Sequence, residues 1–143
     1  MIDGVTNSEG LGVLERLVQF AGQRHRLIVN NIANFDTPGY RPTDVSTEEF
    51  QQHLGEAIDQ NRSSGRSGRP LEMKNTDQIE FSPGSMTLHP TPIGRNILFH
   101  DGSDRDLERT MQDLVENFLT FRTATELLRN RLDLINSVIA ERV

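Results

Sequence analysis

The 143-residue chain has no cysteine, which excludes disulfides, thiol chemistry and Cys-ligated zinc together and leaves the redox compartment open. It is short of positive charge: 15 Lys and Arg against 21 Asp and Glu give a formal net charge of −6, so a broad electrostatic footprint for nucleic acid or acidic lipid is excluded. No stretch reaches the roughly 18 apolar residues of a membrane-spanning helix. The opening MIDGVTNSEG has neither a basic n-region nor an apolar h-region, and any export is expected to proceed without a cleaved signal peptide.

Chemistry-bearing constellations are missing too. His25, His53, His89 and His100 have no second ligand at helical spacing, so a zinc site of the H-E-x-x-H kind cannot be drawn. The acids of HDGSDRDLE, at Asp101, Asp104, Asp106 and Glu108, fail the EF-hand pattern because glycine stands second and not sixth. They suit a helix start, where the macrodipole favours negative charge. With no nucleophile–base pair and no phosphate loop, the expectation is a protein that is not an enzyme, with no cofactor, no metal and no small-molecule substrate.

What the chain does have is concentrated periodicity. With 34% hydrophobic residues and a mean hydropathy of −0.53, one ordinary domain can form a core only if its apolar side chains are grouped. Leu11, Leu14, Val18, Ala21, His25, Ile28 and Ile32 alternate steps of three and four, a heptad seam. Ser8 and Glu9 suit its N-terminus, Gly10, Gly12 and Gly22 weaken it, and His25 is placed as a polar register residue. A longer seam runs through Leu107, Met111, Leu114, Phe118, Phe121, Thr125, Leu128, Leu132, Ile135 and Ile139, with Ser103 and Asp106 forming a weak capping box ahead of it. At 1.5 Å per residue the second helix would run about 55–60 Å against about 35 Å for the first.

Between the seams the composition changes. Residues 55–70 (GEAIDQNRSSGRSGRP) lack periodicity and are rich in Ser, Gly and Arg, as a flexible linker is. Phe50, Leu54 and Ile58 at four-residue intervals predict a short helix within 43–58, and the Pro and Gly of 71–99 allow only turns and brief strands. The fold class is therefore mainly α: N-terminal and long C-terminal helices packed as an antiparallel coiled-coil-like hairpin, with an irregular, partly disordered middle. The chain divides into 1–44 (N-terminal helix and turn), 45–100 (irregular middle) and 101–143 (C-terminal helix).

The most specific stretch is NNIANFDTPGY, residues 30–40. Pro38 fixes φ and Gly39 can take positive φ, so Thr37 to Tyr40 suits a type II turn that ends the helix in a defined direction. Asn30, Asn31 and Asn34 are costly inside a helix, and any amide that becomes buried must be hydrogen-bonded.

This stretch resembles the N-terminal signature of the bacterial flagellar axial proteins of rod and hook, close to N-I-A-N-x-x-T-P-G-Y. Asn31, Ile32, Ala33, Asn34, Thr37, Pro38, Gly39 and Tyr40 all match. A short chain without a large inserted outer domain is similar to the proximal rod members, although Phe121-Arg122 stands where Tyr-Gln is common in that family. The resemblance implies a structural subunit of the flagellar basal body that self-assembles through its terminal helices to carry torque. It implies type III export and a place in the periplasmic rod. The implied partners are further copies, the rod proteins FlgC, FlgF and FlgG, FliE and the membrane-ring and export-gate complex, with no nucleic acid. The alternatives are a FlgC-type rod subunit and a soluble cytoplasmic coiled-coil adaptor or export chaperone.

Overall fold

The computed structural model describes residues 8–63, 71–93 and 107–140. The expected cap at Ser103 and Asp106, the acids 101–106 and His100 lie outside these residues, as do the side chains of Ser8 and Glu9. In chain order the elements are α1 (Ser8–Ala33), β1 (Thr43–Asp44), α2 (Thr47–Ser63), β2 (Ile79–Ser82), β3 (Ser85–Leu88), β4 (Thr91–Pro92) and α3 (Leu107–Ala140).

Helices α1 and α3 pack against each other and run antiparallel: Gly10 lies beside Arg131, Gly22 beside Phe121, and Arg24 beside Asp113. Gly12 has a packing reason, since a Cβ there would come 3.2 Å from Leu71 Cβ, whereas at Gly22 it would make ordinary contact, 3.4 Å from the Phe121 ring. Thr110, Leu114, Asn117, Phe121, Ala124, Leu128, Arg131, Ile135 and Val138 of α3 are withdrawn from solvent in a three-four repeat along one face, with Asp113 and Thr125 half-buried on its two flanks. Asn117, only 4% exposed, donates from Nδ2 to Ala21 O at 2.9 Å. A buried amide that finds its acceptor only in this register penalises a slip of one helix along the other. His25, the polar residue of the α1 seam, is half-buried.

A second stripe of α1 holds the middle of the chain. Phe20 is buried with Val45, Phe50, Leu54, Ala57, Leu71, Ile79 and Met86, and Val13, Leu17 and Leu27 pack against that cluster. The Phe20 and Phe50 rings stack with centroids 4.0 Å apart and planes 2° from parallel. Strand β2 pairs antiparallel with β3, Phe81 opposite Met86, and β1 pairs antiparallel with β4. This buried cluster thus joins α1 to α2 and the β2–β3 hairpin.

Helix α2 continues through residues 55–63, into the stretch whose composition reads as linker. Leu54 and Ala57 are buried and Ile58 packs on the same cluster, so tertiary burial stabilises a helix that its intrinsic propensity does not favour. Gly55 has nothing within 4 Å of a Cβ and therefore costs the packing nothing. Ser46 caps the helix, its Oγ accepting from Glu49 N at 3.1 Å.

Candidate functional site

The motif at the end of α1 forms one hydrogen-bonded unit. Tyr40 N donates to Thr37 O at 3.1 Å, and Gly39 has φ +76°, the left-handed third position that a type II turn requires. Asn31, 6% exposed, does the decisive work. Its Nδ2 donates to Thr43 O at 2.8 Å and its Oδ1 accepts from Thr43 N at 3.1 Å. The side-chain amide therefore pairs with Thr43 as a neighbouring strand would, and leaves neither main-chain group of Thr43 orphaned.

Tyr40 closes the unit. Its hydroxyl donates to Asn31 Oδ1 at 2.9 Å and accepts from Asn30 Nδ2 at 3.2 Å, while Asn34 Nδ2 returns to Asn30 O at 2.8 Å. Ile32, Asn34 and Tyr40 are half-buried, whereas Ala33, Thr37, Pro38 and Gly39 face solvent. Nothing lies within 4 Å of a Cβ built on Gly39, so the cost of a side chain there is purely conformational. Gly39→Val is expected to lower the unfolding free energy by at least about 1–2 kcal/mol and Gly39→Asn by clearly less, because asparagine tolerates that region. Equal losses in urea titrations would show that the turn does not demand positive φ.

Two turns before Asn31, Arg24 holds the next residue of the same return segment. Its Nη2 lies 2.6 Å from Asp44 Oδ2 and 3.9 Å from Asp113, in an open groove of about 660 Å³ between α3, α2 and β1. Burial alone would draw the Arg24 guanidinium down, but the hydrogen bond and charge of Asp44, helped by Asp113 and Glu48, hold it above its ordinary value. Asp113 goes the other way for a carboxylate in an ion pair: burial pushes it up, and the charge of Arg24 offsets only part of that rise. Arg24 is committed to Asp44, and the longer contact does not repay the desolvation of Asp113.

An acid whose folded pKa is raised stabilises the fold below its unfolded value and loses that contribution as pH climbs through the folded one. At neutral pH the ionised Asp113 is thus a small cost. Asp113→Asn is expected to leave stability at pH 7 equal or higher by less than about 1 kcal/mol, with the gap to the parent closing as pH falls through the carboxylate range. Loss of stability at pH 7 would mean that the Arg24 contact is net favourable.

A further polar row of α1, three and four residues apart, fastens the β2–β3 hairpin. Arg16 donates to Ser82 O and Ser85 O at 3.1 and 2.7 Å, Gln19 to Gly84 O at 3.2 Å, and Gln23 to Met86 O. The Arg16 guanidinium also lies 5.7 Å from the Phe81 ring centroid. Sequence reasoning missed these three, together with Arg24; their common spacing was the available signal.

The seam residues divide between two environments. On α1, Ala21 and Ile28 are buried and Leu11, Leu14, Val18 and His25 half-buried; on α3, Leu114, Phe121, Thr125, Leu128 and Ile135 are half-buried. Leu107, Met111, Phe118, Leu132 and Ile139 remain exposed, at 38, 44, 48, 43 and 59%. Met111, Phe118, Thr125, Leu132 and Ile139 are seven residues apart and form one column along the flank of α3. Asp113, Asn117 and Thr120 line the groove toward α2, so at 100° per residue this column stands on the side of the hairpin turned away from that groove. Among the described residues no group of three or more His, Asp or Glu is placed to hold a metal, and no helix is long and apolar enough to cross a membrane.

Paired terminal helices, an interlocked exit turn and a leftover apolar column define a helical-hairpin protein whose features concern packing. No family model matches the chain. It is nevertheless similar over nearly its whole length to proteins named flagellar basal body rod protein FlgB. The relative from Yersinia enterocolitica is 26% identical over 134 residues, 89% of this chain and 90% of that protein. Those from Bacillus subtilis and Borrelia hermsii are 25% identical over 128 residues and 27% over 126, covering 88% and 87% of this chain and 89% and 90% of their own lengths.

Proposed function

We propose that this chain is a structural subunit of the bacterial flagellar basal-body rod, polymerising through its terminal helices to transmit torque and catalysing no reaction. The observation that carries the proposal is the α3 column: the apolar stripe is wider than the contact with α1 requires, and the surplus is exposed in heptad order. Monomeric proteins rarely leave so regular an apolar surface uncovered, and packing of this kind holds helices together without chemistry. The motif at residues 31–40 has an internal role in this reading, since it sets the angle at which the middle of the chain leaves the helix core.

Similarity to proteins named FlgB favours that rod subunit over the FlgC-type alternative. The neighbours would be further copies, FlgC, FlgF, FlgG and FliE, reached in the periplasm by type III export. Electron microscopy of cells deleted for this gene, with and without a plasmid copy, tests the proposal. Loss of rods, hooks and filaments, restored by the plasmid, is the expected result. Normal flagella in the deletion strain would overturn it and leave the cytoplasmic adaptor as the reading to pursue.

A further inference from the structure

We infer that the exposed column of α3 docks head to tail with a second copy of this chain, Leu132 and Ile139 of one copy packing on Met111 and Phe118 of the next. The inference rests on the assembly proposed above and names its surfaces. Asn117 bonds Ala21 O and the Arg131 guanidinium reaches Gly10, so in the antiparallel pair residues 134–140 of α3 extend past the described start of α1 at Ser8 and have no described helix alongside. Toward that end Leu132 at 43% and Ile139 at 59% exposure share one face, and the opposite end of the same helix carries Met111, Val115, Phe118 and Leu119 at 44–56%. Two apolar surfaces, one at each end of one helix, are each without a partner in the described chain.

Charge supports joining the two ends. Laid parallel with an offset of three heptads, about 31 Å at 1.5 Å per residue, Leu132 falls opposite Met111 and Ile139 opposite Phe118. The same offset sets Arg129 against Glu108, Asp133 against Gln112 and Asn136 against Val115. One opposite-charge pair forms and no like charges meet, which favours this register over ones that oppose like signs. Because the two surfaces differ, the contact is heterologous: each copy that docks presents a fresh acceptor, and the series stays open.

The absence of cysteine allows a clean test. Phe118→Cys and Ile139→Cys replace exposed side chains, and the full-length protein is oxidised at high concentration and in cells assembling flagella. Each single variant is expected to stay monomeric on non-reducing gels, a mixture of the two to give dimer, and the double variant to give a ladder of trimers and longer species at least tenfold above either single variant. Self-dimers of Phe118→Cys would replace the head-to-tail contact with a two-fold one. Neither dimer from the mixture nor ladder from the double variant, in cells that build flagella with it, would overturn this contact while leaving the rod assignment intact. A ladder from a protein whose deletion leaves flagella normal would sustain the contact and remove the rod.

Discussion

Replacing Phe50 by alanine is expected to lower the free energy of unfolding by about 3–5 kcal/mol, the cost of a large aromatic lost from a packed core. Phe50 is 0% exposed, and its ring lies flat on Phe20, so the cavity would open between α1 and α2 where neither backbone is free to collapse inward. A domain of ordinary stability has only about 5–15 kcal/mol in total, and the variant should unfold at a visibly lower urea concentration. Phe118→Ala is the matched control. It removes the same atoms from an exposed site and should change stability by no more than about 0.5 kcal/mol. A small loss at Phe50 would mean that the middle of the chain does not share a cooperative core with α1, and a large one at Phe118 would mean that the α3 column is covered within the isolated chain.

These two phenylalanines mark what the sequence did and did not disclose. Both terminal helices were legible, because a three-four repeat sustained from Leu11 to Ile32 and from Leu107 to Ile139 has no strand interpretation. Which side of each stripe meets which partner was not. Periodicity sets spacing along a helix, but a stripe wider than one contact can be rotated, and here one column of the α3 seam turned outward. On α1 the opposite omission occurred: Val13, Leu17, Phe20 and Leu27 form a second stripe that packs on the middle cluster.

Local chemistry was read more fully than long-range chemistry. The turn at Thr37 to Tyr40 follows from Pro38 and Gly39 alone, and the structure has the expected hydrogen bond and positive φ. Arg16, Gln19 and Gln23, by contrast, bond main-chain carbonyls more than sixty residues away. A carbonyl is present at every residue, so no side-chain pattern in the target reveals such a partner. Residues 59–63 were obscured for a related reason, since the spacing of Phe50, Leu54 and Ile58 carries the predicted helix only to 58, whereas α2 runs on to Ser63 through polar residues without apolar periodicity.

Asn31 supports the sharpest remaining test, because its replacements separate donor from acceptor. Asn31→Leu keeps the volume but orphans both main-chain groups of Thr43 and removes the acceptor of the Tyr40 hydroxyl; at about 1–3 kcal/mol per unsatisfied buried group, a loss of about 2–4 kcal/mol is expected. Tyr40→Phe removes only the two bonds of the hydroxyl and should cost about 0.5–1.5 kcal/mol for each. Asn31→Asp is the discriminating variant. Its carboxylate still accepts from Thr43 N and Tyr40 but turns a negative charge on Thr43 O, so burial and repulsion should raise its pKa in the folded state. A raised carboxyl stabilises the fold below its unfolded value and loses that contribution as pH rises. The Asp variant should therefore approach the parent on acidification, when the protonated acid can donate to Thr43 O, while the Leu variant stays low throughout. Parallel pH profiles for the two variants would mean that the strand-like pairing of Asn31 with Thr43 does not hold the exit of α1 in place.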